Sequence, residues 1–438
     1  MKILLKSRMV RLGGAVLLAG FCALSGGGLA RAADNTPIKI GVLLELTGVY
    51  ASSGVYGHKS VTAYAKAANA KGGMDGHPIE LIVIDNQSKP DVTVAGFRRL
   101  ANDDKVHVVV CCGVTALSVL IKPVAQQLKV PTFASGQAAD VISPPDTATW
   151  IFRPNVSQES NLRLQLESAK KAGVKNVALM GVNNAYGTIA SKLLTTIAPE
   201  YGLTVTGAQF FEAAATDVKA QLTLLQATKP DAIIVWAIGP QATLVSKNLQ
   251  ELAMKTRIYH SMGAANSEFL RDGGTATEGN YVSASIAMVP LAAMLPGDPG
   301  YLALKEYNDA WTAAEGRTGD DFGRTPWDAM NLIAAAIKAK KPDLTKVEEA
   351  RSAIRDGIEG IRNFQGLVGA INMSPEDHSG IGMGGGQMLL FKIGKFTVAP
   401  CTLPHLAAFF WPPSIRHGEG LNPRGGARRH GCRVGRGD

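Results

Sequence analysis

The sequence predicts an α/β protein built as two doubly wound, Rossmann-like lobes joined by a hinge, with a cleft between them. Three observations point there. From Ile38 onward, short β-branched runs alternate with stretches of apolar period near 3.6, the pattern of βαβ units feeding a mainly parallel sheet. Glycine and proline punctuate the joins. After Phe152-Arg153-Pro154 the whole pattern starts again. Two sheets are therefore expected, and in such sheets ligands bind at the carboxyl ends of strands.

In order, Ile38 to Leu44 reads as a strand, Gly57 to Ala70 as a helix, Ile79 to Asp85 as a strand and Val92 to Asp103 as a helix. A strand at Val106 to Cys112, a helix at Thr115 to Leu128 and a short strand at Pro131 to Ala134 complete the first set. The second set opens with a helix near Ser157 to Ala172, a strand at Val177 to Gly181 and a helix from Ile189. Strands at Leu203 to Phe210 and Ala232 to Trp236 bracket a helix at Val218 to Ala227, and a longer helix runs from Pro240 to Met254. Helices near Tyr301 to Glu315, Trp327 to Lys338 and Leu344 to Asp356 are expected to return to the first lobe.

The net charge of +9 over 438 residues suggests an anionic polymer as partner until it is located. Residues 1–32 hold five basic and no acidic residues, and 400–438 hold six arginines against Glu419 and Asp438, so the body between them is neutral. A neutral body argues against nucleic acid, whose binding needs clustered Lys and Arg. Basic residues, an apolar stretch from Ala15 to Leu24 and the Ala30-Arg31-Ala32 pattern read as a secretory signal peptide over 1–32. The alternative is a membrane anchor, for which the apolar stretch is short. The segment 400–438 lacks lysine and apolar period, and is read as an aberrant, disordered basic tail from a shifted reading frame; the alternative is a basic interaction tail. Of five cysteines only Cys111 and Cys112 lie in the body. Adjacent cysteines rarely bridge, so buried, unbonded strand residues are expected. No metal-ligand spacing appears and no cofactor is expected.

Several segments carry a family resemblance: Ile38-Lys39-Ile40-Gly41 leading to Leu46-Thr47-Gly48, then Asn69-Ala70-Lys71-Gly72-Gly73-Met74-Asp75-Gly76, and Asp85-Asn86-Gln87-Ser88. Asn184-Ala185-Tyr186-Gly187 and Asn372-Met373-Ser374-Pro375-Glu376-Asp377-His378 extend it. Over Ile38 to about Val398 the chain resembles periplasmic substrate-binding proteins of ABC transporters, of the branched-chain amino-acid-binding type. The resemblance implies the type I periplasmic binding protein fold, with crossover strands at the hinge. Lobe 1 is then expected over 36–155 and 281–362, and lobe 2 over 156–280 and 363–399. It also implies a periplasmic location, a small carboxylate ligand and a membrane permease as partner.

In such proteins the ligand carboxylate is held by hydroxyls and backbone N–H groups of first-lobe loops, and Thr115 matches one such position. At the start of a helix after a strand, it would favour an anion on physical grounds alone; the alternative is a plain helix cap. Ser135, Gly136, Gln137 and Ala138 match the second carboxylate loop, where many relatives carry a hydroxyl at the position of Ala138. Backbone N–H groups of Gly136 and Gln137 are the expected donors there. Tyr186 matches an aromatic that closes over the ligand from the second lobe. Tyr50 and Ser53 follow the first strand, and Trp236 ends a strand near Gly239, with core packing the alternative for Trp236. Met262 stands near the place where amino-acid-binding relatives carry an acid that pairs with the ligand ammonium. Methionine cannot do so, which suggests an aromatic or apolar organic acid without an amine, unless Glu268 supplies the charge.

An enzyme is the first rival. The sequence offers no G-x-S-x-G elbow in the body, no H-E-x-x-H and no G-x-x-x-x-G-K, and Asp377 beside His378 reads as a solvated turn. The second rival is an extracellular sensor module that binds a similar ligand and signals to a receptor.

Overall fold

The computed structural model describes residues 36–398, apart from 295, 298, 383–386 and 393–394. The leader and tail expected over 1–32 and 400–438 lie outside the described residues.

The first lobe runs β1 (Ile38–Leu44), α1 (Ala51–Asn69), β2 (Ile79–Asp85), α2 (Pro90–Asn102), β3 (Val108–Cys111), α3 (Thr115–Leu128), β4 (Thr132–Ala134) and β5 (Ile151–Phe152). Its five strands are parallel in the order β2-β1-β3-β4-β5. The second continues with α4 (Gln158–Lys171), β6 (Asn176–Val182), α5 (Ala185–Ile197), β7 (Thr204–Phe211), α6 (Lys219–Ala227), β8 (Ala232–Trp236), α7 (Pro240–Glu251), β9 (Arg257–His260), α8 (Ser267–Gly273) and β10 (Tyr281–Ala284). The chain then forms α9 (Pro299–Glu315), α10 (Asp321–Lys340), α11 (Val347–Glu359), a hairpin of β11 (Phe364–Gly366) and β12 (Gly369–Ile371), and finally β13 (Gln387–Lys392) and β14 (Lys395–Val398).

The second sheet has the order β14-β13-β10-β9-β8-β6-β7. Strands β6 to β10 repeat the order of the first sheet, as β7-β6-β8-β9-β10, while β13 and β14 join antiparallel at one edge. In both sheets the direction of winding reverses beside the lobe's first strand, between β1 and β3 and between β6 and β8. The crevice that such a switch point opens at the carboxyl ends of the strands is where a ligand fits. Near-continuous apolar strands such as β3 and β8, buried on both faces, are what a helix-covered parallel sheet requires.

The expected lobe boundaries need two corrections. Strand β10 belongs to the second sheet, pairing Tyr281 with Tyr259 and Val282 with His260, so the chain leaves the second lobe after Ala284 rather than at 281. The β11–β12 hairpin stays with the first lobe: Ile371 and Met373 pack in the core of β1, α10 and α11, and Leu367 N–H donates to the Asp328 carboxylate on α10. Only β13 and β14 cross back.

Helices α1 and α10 also begin six residues earlier than expected. In α1, Gly54 and Gly57 read as weak helix formers, but the structure uses them for close approach: a Cβ on Gly54 would lie 2.1 Å from the Glu45 carbonyl oxygen. In α10, Pro326 reads as a boundary yet sits inside the helix, whose start is capped by Asp320 Oδ1 accepting from Phe322 N–H at 3.1 Å. Among the described residues no helix is long and apolar enough to cross a membrane.

Candidate functional site

The first wall of the cleft is made by the residues that follow β1, β3 and β4. Glu45, directly after β1, is fully buried, and its Oε2 accepts the Gly113 N–H at 3.0 Å. Burial pushes its carboxyl up to about 7 from 4.5, the hydrogen bonds from Gly113 and Asn86 opposing only part of that. Ser53 Oγ donates to the Gly113 carbonyl at 3.1 Å, so the turn entering α3 is held from both sides. A Cβ on Gly113 would lie 2.4 Å from Ser53 Oγ.

Helix α3 starts without a side-chain cap, leaving first-turn N–H groups for an anion. Thr115 Oγ1 accepts the Gln137 N–H and Ser118 Oγ accepts the Gly136 N–H, each at 3.1 Å. The two backbone donors expected to serve the ligand are thus engaged by hydroxyls of α3; the Thr115 hydroxyl proton remains. The expectation of unbonded cysteines is also corrected, since Cys111 and Cys112 form a disulfide. Strand alternation would point them to opposite faces, but Cys112 turns out of the strand with φ +58°.

The second wall rises from β6, β8 and β9. Asn184 Oδ1 caps α5 by accepting from Tyr186 N–H at 2.9 Å, while its Nδ2 donates across the cleft to Tyr50 Oη at 2.9 Å. The Tyr186 hydroxyl lies 2.9 Å from Ser261 Oγ and 3.3 Å from Gln137 Oε1. Burial drives this phenol well above its ordinary value. Gln137 Nε2 reaches Met262 Sδ at 3.3 Å.

The third side comes from the segment that follows β5 and the first turn of α10. Arg324 is 1 % exposed, and its Nη2 donates to Asn155 Oδ1 at 2.7 Å. Asn155 Nδ2 in turn donates to the Ser135 carbonyl at 2.6 Å. Arg324 Nε is 3.4 Å from Asp321 Oδ1 without an aligned hydrogen bond, and both Nε and Nη1 lack a partner. A buried guanidinium with two unmatched nitrogens is costly unless something anionic completes it.

One pocket joins the three sides. Of the residues predicted from sequence, it gathers Ser53, Thr115, Ser135, Gly136 and Gln137 from the first lobe with Tyr186 and Met262 from the second. Tyr50, Ala138, Trp236 and Gly239 do not line it. Tyr50 holds Asn184, Ala138 is fully buried, and Trp236 packs behind Tyr186 with ring centroids 5.7 Å apart. A Cβ on Gly239 would meet Ser52 Oγ of the other lobe at 2.5 Å. Glu268 sits elsewhere, 3.5 Å from Tyr56 Oη. Sequence reasoning missed Asn155, Asp321 and Arg324. The one signal for the last two was Asp320 as a helix cap, which Pro326 obscured. Among the described residues no cluster of three His, Cys, Asp or Glu side chains could hold a metal ion.

A pocket between two doubly wound lobes joined by crossover segments defines a solute-binding protein of the type I periplasmic binding fold. Residues 37–394 match the family described as periplasmic binding protein, and the chain belongs to that family, which implies a periplasmic location. The leucine-, isoleucine-, valine-, threonine- and alanine-binding protein of Pseudomonas aeruginosa is 26% identical over 79% of this chain and 88% of its own length. Leu/Ile/Val-binding protein homolog 7 of Brucella abortus is 24% identical over 76% and 84%. An extracellular ligand-binding receptor from Rhodopseudomonas palustris superimposes with a TM-score of 0.78 at 27% identity, covering 83% of this chain and all of the other.

Proposed function

We propose that the chain is the solute-binding component of an ABC importer, capturing a small organic carboxylate between its lobes and delivering it to a membrane permease. The observation that carries this reading is Arg324, buried at the pocket wall with two nitrogens unmatched. A guanidinium is a fixed, always charged donor for a carboxylate, and the start of α3 with Thr115 supplies the opposite side. Tyr186 and Met262 close over the guest from the second lobe; closure hides it from water and sets the outer faces of the two lobes in the arrangement a permease reads. The ligands in the names of the curated relatives are amino acids, in keeping with a carboxylate.

Titration calorimetry with leucine, phenylalanine and benzoate is the direct test. At least one is expected to bind, and Arg324→Leu is expected to weaken it by about a hundredfold or more, since a charged hydrogen bond contributes about 1.5–3 kcal/mol and two are available. Unchanged affinity in that variant would refute the reading. Delivery is tested by uptake of the bound acid in cells lacking the gene, where loss of uptake is expected.

A further inference from the structure

We infer that Glu45 is a positioning residue for the anion site at the start of α3 and serves there only in its protonated form, so that the protein takes up a proton as it takes up an anionic guest. This rests on the carboxylate reading above, but concerns a residue that does not line the pocket. Glu45 directly follows β1 and is fully buried. Its Oε2 accepts the Gly113 N–H at 3.0 Å, and Asn86 Nδ2 lies 3.5 Å from Oε1. Gly113 lines the pocket just ahead of Thr115. A Cβ on Gly113 would come within 2.9 Å of Oε2, so the carboxyl abuts the pocket wall from behind.

An ionised Glu45 places a negative charge behind the same helix start that is to receive a carboxylate. Two anions at one desolvated set of N–H donors oppose each other, and the one that can be protonated gives up its charge. Among the described residues, none of the groups acting on the Glu45 carboxyl is a cation. The end of β2 brings Asp85, whose charge adds to the repulsion; its burial is outweighed by hydrogen bonds from Thr47, Gln87 and Leu46, so it stays ionised. The start of α1 brings Tyr50, which burial keeps neutral against the bond from Asn184, with Glu212 of the second lobe acting in the same direction as burial. The turn between β3 and α3 brings Cys112, which is tied into the disulfide. A carboxyl that burial has pushed up to about 7 is about half ionised at neutral pH, and an arriving carboxylate completes its protonation. The proton is drawn from solvent while the cleft is open and rests on Oε1, Oε2 being the acceptor for Gly113; the guest keeps its own charge for Arg324.

The test is calorimetry with leucine, phenylalanine and benzoate from about pH 6 to 8.5, each in two buffers of different ionisation enthalpy so that bound protons are counted. Affinity for a probe that binds is expected to fall about tenfold between pH 7 and 8.5, with close to one proton taken up per guest at the upper end. Glu45→Gln keeps the acceptor for Gly113 without the charge. In that variant affinity is expected to be level across the range and about tenfold above the parent at pH 8.5, with the proton uptake gone. A purely structural Glu45 would instead change affinity by the same factor at every pH. Two aspartates of the α10 start, Asp320 and Asp328, are also buried and pushed up to about 7 by burial; the slope is expected to persist in Asp320→Asn and in Asp328→Asn. Should Glu45→Gln not fold, infrared difference spectra of the parent take its place: a protonated-carboxyl band that gains on binding and moves with isotope-labelled glutamate is expected, and its absence would overturn the inference. Binding without a pH slope or proton uptake, or a slope that survives Glu45→Gln or is lost in an aspartate variant instead, would overturn the role of Glu45 and leave the carboxylate reading standing. No binding by any of the three probes at any pH would overturn both.

Discussion

Glu45 carries its proton more readily than an exposed glutamate because it has no access to water and its hydrogen-bond partners, Gly113 N–H and the Asn86 amide, are neutral rather than cationic. A carboxyl raised from 4.5 to about 7 makes the native state bind more protons than the unfolded chain between those values. Stability contributed by this group is therefore greatest below about pH 4.5 and falls as pH rises through 7. Replacing Glu45 with Gln keeps an acceptor for Gly113 N–H without the charge. At pH 8 the variant is expected to be more stable, by up to about 3 kcal/mol, and the difference should vanish near pH 4.5; paired thermal melts across that range check it, and a constant gap would contradict the assignment. Thr115 poses a different problem, since its Oγ1 is the acceptor for the buried Gln137 N–H. Thr115→Ala leaves that donor unmatched at a cost of about 1–3 kcal/mol, whereas Thr115→Ser should restore it. Urea denaturation of the three proteins separates this role from any loss of ligand affinity.

Helices α1 and α5 meet their strands in the same manner, which explains why their starts carry glycine. A Cβ on Gly187 would lie 2.1 Å from the Val182 carbonyl oxygen, as one on Gly54 would from Glu45. In each case the obstacle is backbone, so neither side can yield, and the helix must shift off the strand end that forms the cleft wall. Gly187→Ala is expected to destabilise the protein by about 1–3 kcal/mol and to weaken ligand binding, because Tyr186 moves with the helix; chemical denaturation with calorimetry checks both. The same packing marks the limit of what the chain order makes legible. The boundaries of α3 follow from a strand-to-helix transition with clear apolar periodicity, so Thr115 was placed at its first position from sequence alone. Ser53 and Tyr186 were legible as residues after strands. Arg324 was not, because it meets Asn155 across 169 residues of chain, and because a proline inside α10 reads as the start of a helix already under way. The lobe assignment of β10 and of the β11–β12 hairpin likewise depends on pairing and packing partners, which local pattern does not encode.

At the cleft the lobes are joined by polar contacts as well as by apolar packing, for one buried apolar cluster holds residues of both. Asn184 reaches Tyr50, the Tyr56 hydroxyl lies 3.3 Å from Ser267 Oγ, and Gln137 spans to both Met262 and Tyr186. Contacts of this kind contribute about 0.5–1.5 kcal/mol each, small enough for thermal opening and large enough to bias it. If a ligand binds tightly only between closed lobes, its apparent dissociation constant is the intrinsic one divided by the closed fraction. Removing the Tyr50 and Tyr56 hydroxyls together leaves the pocket lining intact while weakening closure. Tyr50→Phe/Tyr56→Phe is therefore expected to lower affinity by about three- to thirtyfold, chiefly through faster dissociation. Small-angle scattering should show a larger radius of gyration than the parent without ligand and the same compaction at saturation. Equal affinity in parent and variant, with equal radii in both states, would mean that these contacts follow closure and do not set its balance.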